Sequence, residues 1–241
     1  MIEEGRRVLL IGNGREYFVR AGAGKLSTDL GTIDLAALVG KVAGDQITTH
    51  LGTDFIIRVP KAGDFFSHAP RTGAPMLPKD IGLVIAYTGM CRHDRVLDAG
   101  TGSGIAAIFF GGIADSVTSY EHRPEFAERA RKNIEEASLP NVEVIEGDVL
   151  SANGTYDIVH LDLMVGPGHI EHAYSLISPG GYLAVYTPYI DHASLVLGAA
   201  EGLFSEVHSY ESIEREITRT RNGTRPSTRI CHSGYVTIAR K

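Results

Sequence analysis

The sequence has no tryptophan, and it has only two cysteines among its 241 residues. Cys91 and Cys231 lie far apart, in no spacing typical of a metal site or of a disulfide framework. We therefore expect two reduced thiols, with a single disulfide as the alternative. The histidines show no ligand spacing either, so we expect no bound metal.

Long hydrophobic runs are also lacking. No apolar run approaches the ~18 residues that a membrane-spanning helix requires. The first ten residues, MIEEGRRVLL, do not have the basic start and long apolar segment of a signal peptide. Because the hydrophobic fraction is 43% and the charged fraction 22%, as in ordinary globular proteins, we expect a cytoplasmic protein without a membrane partner.

An excess of positive charge is missing as well, since the formal net charge is -6. Binding to a phosphate backbone requires positive charge, so this balance argues mildly against a nucleic-acid partner. Residues 215–229, REITRTRNGTRPSTR, are the exception, because their arginines face a single acid, Glu216. The arginines are Arg215, Arg219, Arg221, Arg225 and Arg229. A solvated surface and a phosphate-binding surface are both open interpretations of this segment.

Residues 1–70 are predicted to form a small β-rich domain. Asn13-Gly14 joins two apolar runs, which is typical of a tight hairpin because both turn residues tolerate positive φ. Residues 45–60 predict a second hairpin, and residues 35–39 a short helical piece. Residues 71–80 contain two prolines and are interpreted as a connection that opposes helix formation until Lys79.

From about residue 93, continuous apolar runs alternate with helical segments. This alternation is typical of a parallel sheet covered by helices on both faces. The helix predicted at 124–137 begins with proline, which is favoured at a first helical position. Residues 71–241 are therefore predicted to be a linker followed by an α/β domain.

One glycine-rich turn, VLDAGTGSG at residues 96–104, points to a cofactor. Its apolar run, acid and alternating glycines predict a strand, a tight turn and the start of a helix. The dinucleotide fingerprint is G-x-G-x-x-G, whereas the spacing here is G-x-G-x-G. The turn therefore favours a different nucleotide-like cofactor, with a dinucleotide and a purely structural turn as alternatives.

Four successive predicted strands each end in an acid: Asp98, Glu121, Asp148 and Asp162. Open α/β sheets bind ligands at the carboxyl ends of their strands, where these acids would meet. An acid about 20 residues after the glycine turn suits the hydroxyls of a ribose. The set of acids therefore predicts a cofactor site at this edge of the sheet.

The segments VLDAGTGSG, SYE, EGD and PGGYLAVYTP resemble the successive motifs of class I S-adenosylmethionine-dependent methyltransferases. The resemblance implies a Rossmann-like fold with a mostly parallel seven-stranded sheet. It also implies S-adenosyl-L-methionine as cofactor, with the ribose on Glu121 and the adenine beside Asp148. The implied cofactor-binding residues are Asp98, Gly100, Thr101, Gly102, Ser103, Gly104, Glu121 and Asp148.

A narrower resemblance covers nearly the whole chain. The stretch from LSTDLGT to FIIRVP, the LPKDIG connection, LDLM and the final HSGYVTIARK resemble the tRNA (adenine-58-N1)-methyltransferases of archaea and bacteria. That family implies a tRNA partner, a small N-terminal β domain and a homotetramer. It also implies that Asp162 is the catalytic acid beside the target adenine.

The chain departs from this family near the target base. It has no tryptophan after Asp162, and Leu77 stands where relatives often carry a tyrosine. Aromatic packing on the base must come from elsewhere, and Tyr186 and Tyr189 are the candidates. Among the basic residues of 215–229, the predicted phosphate contacts are Arg219, Arg221 and Arg225.

Together these features predict methyl transfer to N1 of adenine 58 of tRNA, with adenine 57 as a further candidate position. Two alternatives remain open. One is a class I methyltransferase for another substrate, such as a protein carboxylate or a small molecule. The other is a non-catalytic RNA-binding subunit, against which the intact cofactor turn argues.

Overall fold

The structure is a computed structural model that describes residues 1–229 and 231–241. The chain divides into two units. The first contains Met1–Ala69 with the short stretch Glu135–Ser138, and the second contains Pro70–Ile134 and Leu139–Lys241. Every helix among the described residues is too short or too polar to cross a lipid bilayer.

The first unit is built from antiparallel strands. A four-stranded sheet has the order β2-β1-β6-β5, and β3 pairs with β4 in a separate hairpin. A short 3-10 turn at Leu35–Leu38 and one helix, α1, complete the unit. The bounds are β1 Arg7–Gly12, β2 Arg15–Arg20, β3 Lys25–Thr28, β4 Gly31–Asp34, β5 Gln46–Thr48, β6 Asp54–Arg58 and α1 Ala62–His68.

Both hairpins predicted from the sequence are confirmed. Gly12 pairs with Arg15 around Asn13 and Gly14, and these two turn residues have φ of 50° and 69°. The strands bury Leu10, Phe55 and other side chains in one apolar core, so alternation along each strand sets the register. Helix α1 was not predicted from the sequence.

The second unit alternates strands and helices. A 3-10 turn at Val149–Ser151 and a two-stranded hairpin, β13–β14, add to the main layers. The helices are α2 Pro78–Thr88, α3 Ile105–Gly111, α4 Pro124–Ala137, α5 Pro167–Leu176 and α6 Ile190–Glu201. The strands are β7 Arg95–Ala99, β8 Ser116–Glu121, β9 Val142–Glu146, β10 Tyr156–Leu161, β11 Ile177–Thr187, β12 Glu206–Glu211, β13 Ile217–Thr220, β14 Gly223–Pro226 and β15 Tyr235–Arg240.

The main sheet of this unit has seven strands in the order β12-β15-β11-β10-β7-β8-β9. Strands β7 to β11 pair in parallel, and β15 is antiparallel to both of its neighbours. The predicted Rossmann-like, mostly parallel seven-stranded sheet is therefore confirmed. The first strand after the linker, β7, lies beside the central strand β10, and apolar residues of these two strands, such as Leu97 and Val159, are fully buried.

Helix ends follow local chemistry. Helix α2 begins at Pro78, one residue earlier than expected, because proline is well tolerated at the first helical position. It ends at Gly89, whose φ of 65° is the left-handed conformation common after a helix. Helix α4 spans the predicted residues 124–137, but its buried stripe includes Ala127 and Asn133, whereas Phe126 is only half-buried.

Two features of the topology position the site. The carboxyl ends of β7, β8, β9, β10 and β11 share one edge of the sheet. Strand β12 runs in the same direction as β11, because both are antiparallel to β15. The chain segment between β12 and β15 therefore leaves and re-enters the sheet at that same edge.

Candidate active site

A buried row of polar side chains crosses the sheet beneath this edge. Asp98 is registered opposite Ser119 on one side and His160 on the other. Its carboxylate accepts hydrogen bonds from the Ser119 hydroxyl at 2.5 Å and from the His160 ring at Nδ1, 2.7 Å away. Asp98 is 1% exposed and lies beneath the cavities of the site, outside their walls. It is placed to hold the turn that follows it.

The glycine turn comes into direct contact with the end of the neighbouring strand. Gly100 has φ of +85°, and a Cβ atom at this position would collide with the carbonyl oxygen of Asp162. Only glycine fits both the backbone conformation and the close approach. The Asp162 amide in turn donates to Ala99 O at 2.8 Å, so the turn and Asp162 are fixed together.

The other residues of the turn are also held by hydrogen bonds. The Thr101 hydroxyl lies 2.7 Å from the Ser119 hydroxyl, and the Gly104 amide donates to Thr101 O at 2.8 Å. The Ser103 hydroxyl accepts the Thr72 amide of the linker at 2.9 Å. Asn133 of α4 donates its side-chain amide to Ser103 O at 2.8 Å. The turn is therefore held from the sheet, the linker and α4.

Glu121, at the end of β8, is buried and held in place by hydrogen bonds. Its carboxylate accepts the Gly102 amide at 2.9 Å and the Arg123 Nε and Nη2 groups at 2.8 and 3.1 Å. Burial alone would raise the pKa of Glu121, but the Arg123 side chain and the backbone N–H groups outweigh it and lower the pKa. Glu121 therefore stays ionised and presents a fixed acceptor.

Asp148 is exposed, two residues beyond the end of β9. One of its oxygens accepts the Leu150 amide at 2.9 Å and caps the 3-10 turn at 149–151. The capping role and a ligand role are compatible, because a carboxylate offers several lone-pair positions.

Two adjoining cavities lie at this edge of the sheet. The larger, of about 450 Å³, has Glu121 and Asp148 in its wall and is within the size range of ligand pockets. The smaller, of about 180 Å³, lies between the glycine turn and linker residues 73–76. Gly100, Arg123 and Asp162 line both cavities, so the two are halves of one cleft. The cleft suits an elongated ligand that carries both hydroxyls and positive charge.

Asp162 follows the end of β10 and is the shared acid of the two cavities. Burial raises its pKa to about 6. The nearby His160 side chain acts in the opposite direction, while the Asp98 and Glu121 carboxylates raise the pKa further. A carboxylate with a raised pKa at a cleft is typical of a functional site. A ligand that carries positive charge would stabilise the ionised form of Asp162.

Tyr186 lies on β11, next to the position that Asp162 takes beyond β10, because Leu161 and Val185 are the last registered pair. Its hydroxyl donates to the carbonyl oxygen of Ser233 at 2.8 Å. Burial raises the pKa of Tyr186, the hydrogen bond to Ser233 lowers it, and the carboxylates of Asp80 and Asp162 raise it further. Tyr186 and Asp162 are therefore neighbours at the edge of the sheet, but Tyr186 lines neither half of the cleft.

Tyr189, the other aromatic candidate, is in a different setting. Its side chain is 65% exposed just before α6, and its ring contacts His192 at 5.4 Å between centroids. It does not line either half of the cleft.

The basic segment forms an exposed hairpin. Arg219 is on β13, Arg225 is on β14, and Arg221 lies in the turn between these strands. The register pairs Arg219 with Thr224 and Arg225 with Thr218, so the two arginines lie on opposite faces of the hairpin. Positive charge therefore surrounds the tip of the hairpin and does not form a flat patch.

Several residues of the site were not predicted from the sequence. Ser119 and His160 sit inside apolar strands, and only the sheet register brings them beside Asp98. Arg123 follows Glu121 by two residues and packs its guanidinium 3.5 Å from the Phe126 ring centroid. His169, in the wall of the larger cavity, accepts the Gly166 amide at 3.1 Å on Nδ1. The G-x-x-H spacing before α5 was the available signal for His169.

No group of three or more histidine, cysteine or acidic side chains among residues 1–229 and 231–241 is arranged to hold a metal ion. Cys91 is exposed and Cys231 half-buried, and both are free thiols.

The chain is similar in sequence and in fold to known proteins. The family model of protein-L-isoaspartate(D-aspartate) O-methyltransferase (PCMT) matches residues 75–185, which include the glycine turn and Asp162. A tRNA (adenine(57)-N(1)/adenine(58)-N(1))-methyltransferase TrmI from Methanocaldococcus jannaschii is 32% identical over 268 residues, which cover 97% of this chain and 94% of that protein. The chain belongs to the TrmI methyltransferase family. It is a class I, S-adenosylmethionine-dependent methyltransferase.

Solved structures agree with this membership. A SAM-dependent O-methyltransferase from Thermotoga maritima superposes with a TM-score of 0.87 at 27% identity, covering 99% of this chain and 94% of that one. TrmI from Aquifex aeolicus, described as a tRNA (m1A58) methyltransferase, gives 0.81 at 22% identity over 99% and 98% of the two chains, which supports the fold. The TrmI-family fold thus extends over the whole chain, including the β-rich residues before the linker.

Proposed function

We propose that this TrmI-family protein transfers a methyl group from S-adenosylmethionine to N1 of adenine 58 in the T-loop of tRNA, with adenine 57 as a further acceptor. The observation that carries the proposal is the position of Asp162, which lines both halves of the cleft and is fixed to the glycine turn. The full-length match to a relative named for this reaction supports it.

The cleft fits the cofactor in shape and in chemistry. Glycine at position 100 keeps the turn open, because any side chain there would fill the cradle against Asp162. Glu121 is an ionised acceptor suited to ribose hydroxyls, and Asp148 suits the amine of an adenine. Among the remaining predicted contacts, Thr101, Gly102 and Ser103 line the smaller half of the cleft and would act through the backbone, since the Thr101 and Ser103 hydroxyls are already paired. Gly104 lines neither half and packs against Ala130 of α4. Asp98 would act through the turn that it holds.

When bound, S-adenosylmethionine supplies an electrophilic methyl group carried on a positively charged sulfur. Adenine N1 has a free lone pair, so the chain need not supply a general base. The product ring is cationic, and the Asp162 carboxylate is placed to accept a hydrogen bond from the exocyclic amine of the base. Such a preorganised acceptor orients the base and stabilises the positive charge as it grows.

Tyr186 is the aromatic residue that we propose packs against the base. It neighbours Asp162 across the sheet, which supports this role, although neither Tyr186 nor Tyr189 lines a wall of the cleft. The target adenine of a folded tRNA is stacked in the T-loop, so it must be turned out of the stack to reach Asp162. Contacts between the protein and other parts of the tRNA must offset the free-energy cost of unstacking the base.

The arginine hairpin is the proposed source of those contacts. Arg219, Arg221 and Arg225 are exposed around its tip. Folded RNA is recognised largely by its shape and its phosphates, for which arginine is well suited. The hairpin arises at the edge of the sheet that carries Asp162, and this shared edge supports a role of its arginines in binding the substrate.

Methylation of a protein carboxylate is the second candidate, and the match to the isoaspartyl methyltransferase model favours it. That match ends before the arginine hairpin and leaves out the N-terminal unit, whereas the TrmI relative covers 97% of the chain.

A cytoplasmic location, a homo-oligomer and a separate N-terminal domain at residues 1–70 stay predictions.

A paired transfer assay separates the two candidates. The protein is incubated with methyl-labelled cofactor and either unmodified tRNA or an isoaspartyl peptide at equal concentration. The proposal expects stable label on tRNA and background label on the peptide. Base-labile label on the peptide, with none on tRNA, would replace the first candidate with the second.

A further inference from the structure

Lys79, in the first turn of α2, joins three separate parts of the second unit. Its ammonium donates to Asp80 Oδ1 at 2.7 Å, to the carbonyl oxygen of Ser212 at 2.6 Å and to the Ser233 hydroxyl at 2.8 Å. An ammonium has three protons, so all its donors are used. The Ser233 hydroxyl donates in turn to Asp80 Oδ2 at 2.5 Å and closes the network.

This network is buried although it is highly polar. The side chains of Lys79 and Asp80 are 6% and 1% exposed. Taking two charges out of water is costly, and a buried ion pair of this kind is a poor source of net stability. A fully satisfied buried network does, however, fix its members in one geometry. The role of Lys79 therefore depends on which segments it fixes.

Ser212 and Ser233 lie near the two ends of the segment between β12 and β15. We name residues 212–229 and 231–233 the arginine arm, because they include the hairpin of Arg219, Arg221 and Arg225. The two sides of the arm stay paired as they leave the sheet: Glu214 bridges to Cys231, and the Ser227 amide donates to Glu216 O at 2.7 Å. By bonding to Ser212 and to Ser233, Lys79 closes the base of the arm.

The same end of the arm holds Tyr186. Its hydroxyl donates to Ser233 O, and its ring lies against Gly234, where a Cβ atom would come within 2.8 Å of the hydroxyl. A displacement of Ser233 would therefore be felt at Tyr186, the neighbour of Asp162. A continuous set of contacts therefore runs from the arginine arm through Ser233 to Tyr186, the neighbour of Asp162 on the adjacent strand.

We propose that Lys79 is a positioning residue that couples the arginine arm to the adenine site formed by Asp162 and Tyr186. The inference rests on the proposed function, since it takes the arm to bind RNA phosphates and the cleft to receive the base. Lys79 touches neither substrate nor cofactor. It holds the two binding surfaces in register, so that RNA contacts made on the arm help to present the base to Asp162.

A double-mutant cycle tests this coupling. We call the buried pair Lys79 and Asp80 the clamp. The clamp variant is Lys79→Met with Asp80→Asn, which removes both charges and leaves no uncompensated ion in the interior. The arm variant is Arg219→Glu with Arg221→Glu. The matched control for the clamp is Lys132→Met, an exposed lysine of α4 paired with Glu128. For each variant and combination, methyl transfer at subsaturating unmodified tRNA gives kcat/KM, and calorimetry gives cofactor affinity.

If Lys79 couples the two surfaces, the arm variant should lower kcat/KM about 100-fold in the wild-type background and about tenfold or less in the clamp background, because neighbours in one network are not additive. Cofactor affinity should stay within about twofold in every variant, and Lys132→Met should leave the arm effect unchanged. If Lys79 acts in folding alone, the clamp variant should lower the melting temperature. The fold-changes in kcat/KM of the clamp and arm variants should then simply multiply in the combined variant.

The milder variant Ser233→Ala serves if the clamp variant does not fold. It removes the hydroxyl that bonds to both Lys79 and Asp80 and keeps the carbonyl that accepts the Tyr186 hydroxyl. A multiplicative cycle with either variant overturns the role of Lys79. Wild-type protein that methylates no tRNA would overturn the proposed function itself, so the two failures are distinguishable.

Discussion

Gly100 lies so close to Asp162 that a Cβ atom at position 100 would collide with the Asp162 carbonyl oxygen. The cofactor turn and the candidate catalytic acid are thus in backbone contact, across the neighbouring strands β7 and β10. A change in the turn must move Asp162, and a change in the backbone of Asp162 must move the turn. This contact explains how one short segment can serve both the cofactor and the methyl acceptor.

The first prediction concerns this contact. Gly100→Ala should weaken cofactor binding at least about tenfold and lower the methyl-transfer rate about 100-fold, since small displacements of a positioned group are costly. Gly89→Ala is the control, because Gly89 also has positive φ but has nothing within 4 Å of the added Cβ. Calorimetry and single-turnover assays on both variants check this. Equal effects of the two substitutions would mean that backbone strain alone is responsible.

The second prediction is a pH dependence set by Asp162. Its pKa of about 6 means that the carboxyl is protonated below that pH and ionised above it. Because only the carboxylate stabilises a cationic ring well, kcat/KM for tRNA should rise with pH through a midpoint near 6 and then level off. Asp162→Asn should lower the plateau about 100-fold, remove this rise and leave cofactor affinity within about twofold. An unchanged rate in this variant would remove Asp162 from the chemistry.

The third prediction concerns Glu121. Glu121→Ala removes the ionised acceptor proposed for the ribose hydroxyls, so the cofactor dissociation constant should rise about ten- to 100-fold, as expected for hydrogen bonds to a charged group. Glu125→Ala, which changes an exposed acid in the first turn of α4, is the control and should change little. Calorimetry with S-adenosylmethionine measures both. If affinity is the same in the two variants, the ribose is bound elsewhere.

The fourth prediction concerns charge on the arginine arm. Arg219→Glu with Arg221→Glu should weaken tRNA binding and lower the slope of log K against log salt by about 1–2, because phosphate contacts are lost. The control is Arg92→Glu with Arg240→Glu, which makes the same change in net charge. These two residues are exposed at the opposite edge of the sheet, before β7 and at the end of β15. Equal weakening by the two pairs would indicate a general effect of net charge.

The α/β pattern was predictable from the sequence because it depends on local signals. Apolar runs marked the parallel strands, and the Asn13-Gly14 turn marked its hairpin. The strand β12 and the β13–β14 hairpin could not be predicted in this way, since polar and charged side chains interrupt their apolar pattern. For these elements the pairing partners, and not local propensity, decide the conformation.

The sequence predicted the site residues that directly follow the ends of predicted strands. Glu121, Asp148 and Asp162 line one cavity, as their positions after successive strands suggested. Other contacts depend on how distant segments pair: His160 reaches Asp98 from the neighbouring strand, and Lys79 bonds to Ser233, which is 154 residues away in the sequence. One sequence carries no signal for such pairs, although each member is visible alone. The roles of the individual site residues stay predictions until the variants above are measured.

Mapping the methylated nucleotide is the decisive experiment. Unmodified tRNA is incubated with the protein and isotopically labelled S-adenosylmethionine, digested, and the fragments are mapped by mass spectrometry. We expect N1-methyladenine at position 58, alone or together with position 57, and its loss with Asp162→Asn. Label at another nucleotide, or none on tRNA beside a methyl ester on an isoaspartyl peptide, would refute the proposed function.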